Sequence, residues 1–277
     1  MNKPLVSISV IVYNSSKYVL DTLESVKAQT YSPLELVVSD DCSTDDTVTI
    51  CHDWIEKNKE RFASAKVVEA PKNQGISANY NQGMDNCSGD YIKEIAGDDV
   101  LLPNCVEDYV NFVTEHPEAN FCFGKVQVFG DSEEKVHWYR DLVMQDYPFF
   151  RLTPKEQLQQ LTVFSNPIPS SVFFYSRKRA IEIGLRNDER IPFMEDWPKW
   201  INLLKKGEKL WFLDKEVTRY RVSDTQLSTN GAKRWQDQLY LLYVHYKFIP
   251  TLKYDWKLGL KRLIRGGLIY IGWMKDR

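Results

Sequence analysis

Apolar and polar positions along the first hundred residues fall into two alternating patterns. Val6-Ser-Ile-Ser-Val-Ile-Val-Tyr13 is β-branched and mostly apolar, which predicts a buried strand. Asn14-Ser15-Ser16 follows with side chains able to cap a helix, and Val19, Leu23 and Val26 then recur at helical spacing up to about Gln29. After the Ser32-Pro33 break, Leu34–Ser39 predicts a second strand that ends on Asp40-Asp41. Thr47–Asn58 reads as a helix capped by Ser43 or Asp45, Lys66–Ala70 as a short third strand, and residues 73–86 as a loop and helix. Tyr91–Ala96 is a fourth strand, closed by Gly97-Asp98-Asp99.

Strands alternating with helices predict an α/β fold with a mainly parallel, doubly wound sheet. Open sheets of this kind bind ligands beyond the carboxyl ends of their strands, near the point where strand order reverses. Tyr13, Asp40, Asp41, Asp98 and Asp99 all fall at such ends, so the pattern brings distant acidic residues to one edge.

The remainder is less regular. Phe121–Phe129 and Ser171–Tyr175 predict strands, and Trp197–Lys206 a helix stopped by Gly207. Trp211–Asp214 and Thr218–Val222 predict two late strands. From Arg234 onward the chain reads as helical and aromatic, with Pro250 and Gly266-Gly267 as breaks. This divides the chain into an α/β domain over 1–230 and a helical, basic-aromatic extension over 231–277.

Composition narrows the classes. Apolar residues at 43% and charged residues at 27% describe a globular protein. The net charge of −2 gives no basic field for nucleic acid. It is unevenly spread, since residues 251–277 carry seven Lys/Arg against two Asp. A basic end on an acidic body predicts an anionic surface as partner. Cys42, Cys51, Cys87, Cys105 and Cys122 include no CxxC spacing and read as the reduced thiols of a cytoplasmic protein. The four histidines form no ligand cluster, which argues against zinc. The apolar run near the N-terminus is too short and too punctuated for a signal peptide, and no run approaches the ~18 apolar residues of a membrane span.

Three acidic segments carry candidate chemistry, each with a plain structural alternative. Asp98-Asp99 suits a hard divalent cation, which takes one or two carboxylates plus substrate phosphates and water and neutralises a departing diphosphate. Either residue could equally cap a helix over Pro103–Thr114. Asp40-Asp41-Cys-Ser-Thr-Asp-Asp-Thr47 can accept hydrogen bonds from a nucleoside, or form an Asx turn. Asp196, in Glu195-Asp196-Trp-Pro-Lys-Trp200, can serve as a general base whose pKa an aromatic wall would raise. It can also cap the next helix, with Pro198 in the first turn.

Together these segments resemble the family 2 glycosyltransferases of the GT-A fold. Val6–Asn14 resembles the family's first strand with its Tyr-Asn, and Gln29–Asp45 its second strand with Asp-Asp-x-Ser-Thr. Asn73-Gln-Gly75, Asn81-Gln-Gly83 and Gly89-Asp-Tyr-Ile92 resemble the donor loop and helix. Ile95–Asp99 resembles the metal motif, and Glu195-Asp196 the base motif. The resemblance covers roughly residues 5–230. It implies an inverting, Mn²⁺- or Mg²⁺-dependent transfer from a nucleotide sugar, with a UDP-sugar favoured. Tyr13 would stack near uracil beside Asn14, Asp41 would bond the base, and Asn73, Gly75 and Asn81 would form the donor loop. Asp98 would contact ribose or sugar, Asp99 would ligate the metal, and Asp196 would be the base. The implied acceptor is a hydroxyl of a saccharide or lipid-linked saccharide in surface polysaccharide synthesis.

Three departures stand out. Asn79-Tyr80-Asn81 replaces a common Ala-Arg-Asn, Ala96 stands where the metal motif often begins with another Asp, and Tyr220-Arg221-Val222-Ser223 lacks a late histidine. Another Lys or Arg would then face the phosphates. A non-catalytic sugar-nucleotide-binding protein is the alternative class. A nucleotidyltransferase is less favoured, because Tyr13–Lys17 contains no glycine for a phosphate loop. In the extension, Lys257, Lys261 and Arg265 form a basic stripe beside Trp256, Leu260, Ile264 and Leu268, with Tyr254, Tyr270 and Trp273 as interfacial aromatics. That pattern predicts a peripheral position on the inner face of the plasma membrane, or packing of the apolar stripe on the domain.

Overall fold

The computed structural model describes residues 3–143, 148–163, 166, 168–191, 195–223, 249–261 and 264. Eight strands form one sheet in the order β3-β2-β1-β4-β7-β6-β8-β5. β1 (Val6–Val12), β2 (Leu34–Asp40), β3 (Ser64–Glu69) and β4 (Tyr91–Ala96) are mutually parallel. β7 (Phe173–Ser176) runs antiparallel to both β4 and β6 (Phe121–Gly130). β8 (Trp211–Val222) returns parallel to β6, and the two-residue β5 (Val100–Leu101) closes the edge antiparallel to β8. Six strands therefore point one way, and the mainly parallel sheet expected from the sequence is present.

β1 and β2 are buried at every position because helices cover both faces, which explains their unbroken apolar runs. Helices α1 (Val19–Lys27), α2 (Thr47–Asn58), α3 (Ile76–Asn86) and α4 (Cys105–Glu115) flank this half. Val19, Leu23 and Val26 are the buried stripe of α1, as their spacing predicts. The other half carries α5 (Glu133–Val143), α6 (Pro154–Val163), α7 (Arg177–Glu182) and α8 (Asp196–Lys205). Fully buried Trp200 of α8 packs edge-on against Phe123 at 4.8 Å and Phe173 at 4.6 Å, tying this half to the same core.

Two local expectations are corrected. The two late strands are one, since Asp214-Lys215-Glu216 is the exposed middle of β8, opposite a shift in the β6 register. Asn14-Ser15-Ser16 does not cap α1, which starts after Tyr18 with no side-chain cap; those residues bind the following loop instead. Pro250 lies in α9 (Ile249–Tyr254), and the residues before it, on which its reading as a break depends, lie outside the described ones. A further turn of helix spans 256–261 after Asp255. The Thr251 hydroxyl donates to Thr162 O at 3.2 Å, docking α9 on α6. The 230/231 boundary, Arg265, Gly266-Gly267, Leu268, Tyr270 and Trp273 lie outside the described residues. Among the described residues, no helix is long and apolar enough to cross a membrane.

Candidate active site

Strand order reverses between β1 and β4, and the polar residues collect at that reversal. The register pairs Val12 with Asp40 and Ile11 with Ala96, so Tyr13, Asp41 and Gly97 emerge side by side. Gly97 permits this crowding, because a Cβ there would stand 2.6 Å from Val12 Cγ1.

Two loops are stitched together at the first corner. Asn14, at φ 48°, donates its N–H to Ser43 Oγ at 2.8 Å and accepts Thr44 N–H on Oδ1 at 2.8 Å. Ser15 N–H reaches Thr47 Oγ1 and Ser16 N–H reaches Asp45 Oδ2. Asp40 makes the Asx turn, accepting the Ser43 N–H at 2.8 Å and hydroxyl at 2.5 Å. Asp45 accepts the Thr47 N–H at 3.0 Å and so serves the start of α2. Asp41 is left to face inward. Its two oxygens accept Gln74 N–H at 2.7 Å and Gly75 N–H at 2.8 Å. Gly75 aims that N–H from φ 90°, a conformation only glycine adopts cheaply. Burial pushes the Asp41 pKa up, against the pull of those two N–H groups. Tyr13 and Asn73 are exposed at this corner. Asn81 is not. It is buried, and its amide is spent on Asn187 N–H at 2.8 Å, Asn187 O at 3.2 Å and Glu189 Oε1 at 2.7 Å, bracing α3 against the 185–191 segment.

The second corner is the turn after β4. Asp99 is 1% exposed; its Oδ1 accepts Arg221 N–H at 2.8 Å, and its Oδ2 meets no donor among the described residues. Half-buried Asp98 lies beside it. Burial raises both pKa values, that of Asp99 strongly, with the Asp98 charge adding to it and Arg221 opposing. Arg221 is the residue that sequence reasoning undervalued. Its Nε donates to Asp98 O at 2.8 Å, its Nη2 to Asp21 Oδ2 at 2.7 Å, and its guanidinium lies 4.3 Å from the Tyr18 ring and 4.5 Å from that of Phe129. The arginine clamps the end of β8 onto the aspartate turn, and Ser223, in the place of the late histidine, is buried.

The third carboxylate comes from the other half of the sheet. Asp196 is the first residue of α8; Oδ1 accepts Trp197 N–H at 2.6 Å and Oδ2 accepts the Asn166 amide at 2.7 Å. Burial, reinforced by the neighbouring Glu195, raises its pKa to about 7, against the pull of Trp197 N–H and the Lys199 ammonium. Glu195 is itself pushed up by burial. A carboxyl poised near neutrality can hold or release a proton at working pH.

The sequence model for glycosyl transferase family 2 matches residues 7–184, a span running from the first strand through α7. The chain belongs to glycosyl transferase family 2. This family 2 glycosyltransferase is 31% identical over 95% of its length to a Bacillus subtilis protein assigned as the glycosyltransferase EpsE, covering 89% of that protein. It is 25% identical over 92% of its length to Bacillus subtilis TuaG, assigned as a teichuronic acid biosynthesis glycosyltransferase, covering 93% of that protein. Among solved structures, Staphylococcus aureus TarS 1–349 in complex with UDP-GlcNAc superposes with a TM-score of 0.66 at 18% identity. That match covers 86% of the present chain and 65% of the TarS chain. The neighbour supports the GT-A fold expected from the sequence.

Proposed function

We propose that this glycosyltransferase moves a sugar from a UDP-sugar to a hydroxyl of a saccharide or lipid-linked saccharide in surface polysaccharide synthesis, with inversion and with help from Mn²⁺ or Mg²⁺. The observation that carries the reading is Asp196, a carboxyl pushed to about 7 at the start of a helix, in the same protein as a buried aspartate turn. Asp196 takes the acceptor proton as the hydroxyl attacks the anomeric carbon. Asp41 accepts from the uracil N–H through its remaining lone pairs, and exposed Tyr13 supplies a stacking face; Asn14, Asn73 and Gly75 shape that corner. Asn81 acts there by bracing α3. TuaG's assignment to teichuronic acid and the UDP-GlcNAc bound to TarS support the pathway and donor class.

The aspartate turn suits a hard divalent cation. Asp99 has a buried oxygen without a donor among the described residues, and burial raises the pKa of both aspartates, a condition a cation relieves. Asp99 would hold it, with substrate phosphates and water filling the remaining positions and Asp98 beside it contacting ribose or sugar. Bound there, it would neutralise charge on the leaving diphosphate. Arg221 holds the turn in place, and Lys17, at the same corner, adds positive charge on the phosphate side.

The extension supports a peripheral membrane position. Trp256, Leu260 and Ile264, four residues apart on the helical turn after Asp255, are all exposed, and Lys257 and Lys261 run beside them. The full chain is expected to sediment with vesicles containing phosphatidylserine, less so as salt is added. Trp256→Glu/Leu260→Glu should stay in the supernatant; equal sedimentation of parent and variant rejects the membrane face.

Hydrolysis of a panel of UDP-sugars with Mn²⁺ and with Mg²⁺, followed by Asp196→Asn, tests the central reading. The variant should bind UDP as the parent does in calorimetry while its turnover falls by roughly 10²-fold or more. A variant that keeps its turnover removes the base assignment, and a protein that binds UDP without turning over any donor favours the non-catalytic alternative.

A further inference from the structure

Strand β4 carries two charged side chains, Lys93 and Glu94, in the middle of the sheet. Consecutive positions face opposite sides, and both side chains are buried. Lys93 is satisfied by backbone, its Nζ donating to Glu94 O at 2.6 Å and Ser171 O at 2.7 Å. Glu94 reaches the other way. Its Oε2 accepts from Lys199 Nζ at 2.8 Å and its Oε1 accepts from the Tyr175 hydroxyl at 2.9 Å. Lys199 belongs to α8, three residues after Asp196. Its ammonium also faces the rings of Tyr80 at 4.8 Å and of Phe173 and Trp200, both at 5.2 Å. Lys199 is 1% exposed and Glu94 2%.

A fully buried ion pair is a poor stabilising device. Removing two ions from water costs several kcal/mol each, and an apolar pair of the same volume often does as well. What the pair does offer is a fixed position, because each charge leaves its partner only at that cost. One member stands four residues before Asp98, and the other lies one helical turn from Asp196.

We propose that Glu94 and Lys199 are positioning residues for the transfer step: their ion pair registers the first turn of α8, and with it the Asp196 carboxylate, against the strand that leads into the Asp98-Asp99 turn, and keeps one positive charge beneath the Glu195-Asp196 pair. This rests on Asp196 as the base. The groups around Asp196 set the expected signs. On its own helix the Glu195 charge raises its proton affinity and the Lys199 ammonium lowers it. From the 166–168 segment it meets the neutral Asn166 amide. From β4, Glu94 faces Lys199, and from α3 the Tyr80 hydroxyl lies within electrostatic reach of Glu195, Glu94 and Asp99.

Two variants of the full chain move the charge in opposite directions. Glu94→Gln keeps the ammonium and removes the carboxylate that offsets it, so Asp196 should titrate at lower pH than in the parent. Glu94→Gln/Lys199→Met leaves no buried charge alone and takes the positive charge away, so Asp196 should titrate higher, by roughly half a unit to one unit. The titration is read by carboxyl ¹³C NMR, with the Asp196 resonance identified by its loss in Asp196→Asn. That measurement needs no turnover, so failure of the base reading, seen as retained activity in Asp196→Asn, stays distinct from failure of the pair. With whichever UDP-sugar the parent turns over, the double variant should lose at least about tenfold in kcat while donor KM stays within about twofold, and the acid limb of its pH profile should follow the NMR displacement. Asp196 titrations that coincide in the parent and both variants overturn the proposal, as does a double variant with parental kcat.

Discussion

Two buried carboxylates sit at opposite ends of the same parallel strands and are treated in opposite ways. Glu35, at the amino end of β2, accepts Ser7 Oγ at 2.5 Å, Ser64 Oγ at 3.0 Å, and Ser88 through both its N–H at 2.7 Å and its hydroxyl at 2.9 Å. Burial alone would raise its pKa, but these donors outweigh burial and hold it below the usual glutamate range. Asp99, past the carboxyl end of β4, has one donor and one bare oxygen among the described residues, and its pKa is pushed well up. The comparison teaches where this fold spends stability. Its closed end satisfies a charge completely and binds the strands together. Its open end leaves a charge incomplete, a cost that makes sense only where something else completes it.

The largest expected effect follows from that asymmetry. Asp99→Asn should cost at least roughly 10²-fold in metal-dependent donor turnover, because an electrostatic contribution of a few kcal/mol disappears with the charge. The same change should leave the melting temperature equal or higher, since an amide is cheaper to bury than an incompletely bonded carboxylate. Loss of turnover together with a large fall in melting temperature would make Asp99 a structural partner of Arg221 and nothing more.

The closed end should answer in reverse. Glu35→Leu takes the acceptor from buried Ser7 and from the Ser88 N–H and the Ser64 and Ser88 hydroxyls, a cost of about 1–3 kcal/mol, or on the order of 5 °C in melting temperature, with kcat and KM of the folded enzyme unchanged. The pH dependence has a definite sign. Because the folded pKa of Glu35 lies below its unfolded value of about 4.3, its contribution is complete above that value and is lost as pH falls through the folded one. Denaturant titrations between pH 6 and pH 3 should therefore show the parent losing stability faster than Glu35→Leu. Parallel curves would remove Glu35 from the account.

Much of this contrast was legible in the sequence, and its gaps have physical causes. β1, β2 and β4 announce themselves because strands covered on both faces are written as apolar runs, and the acidic ends that follow have no place in a core. β8 reads as two strands because its middle, Asp214-Lys215-Glu216, lies exposed at a sheet margin and interrupts the pattern. α5 and α6 leave little trace: Glu133–Arg140 and Lys155–Gln160 are mostly polar, and their packing depends on a few residues such as Val136, Leu158 and Leu161. The Glu94–Lys199 link had a signal that strand periodicity ignores, namely two adjacent charges inside Tyr91–Ala96, where a buried strand has no reason to carry any. Arg221 had only its place in Tyr220-Arg221-Val222-Ser223, because its contacts with Asp21, Asp98 and Asp99 join residues more than a hundred positions apart.

Asp41 stands between the two extremes and gives the smallest and most specific test. Both of its oxygens are bonded, as at Glu35, yet burial still raises its pKa, as at Asp99. Two N–H groups satisfy half of what a carboxylate can accept, since its two oxygens offer about four lone-pair sites. The remainder suits one more donor, and uracil presents an N3–H where cytosine presents only an acceptor. UDP should therefore raise the melting temperature more than CDP at equal concentration, by ligand linkage. Asp41→Asn should erase most of that difference. An asparagine has one carbonyl oxygen for the loop N–H groups, and its NH₂ would turn a donor toward the base. The discrimination at stake is about one charge-assisted hydrogen bond, on the order of 1.5–3 kcal/mol, so it should appear as roughly a tenfold or larger ratio of UDP to CDP affinity in calorimetry. Guanine also presents a ring N–H, so GDP is the informative control. A GDP shift above that of UDP would transfer the donor assignment to guanosine sugars while leaving Asp41 as the reading group. Equal shifts for UDP, CDP and GDP in the parent would instead assign Asp41 wholly to holding Gln74 and Gly75, making it a second Glu35 at the open end of the sheet.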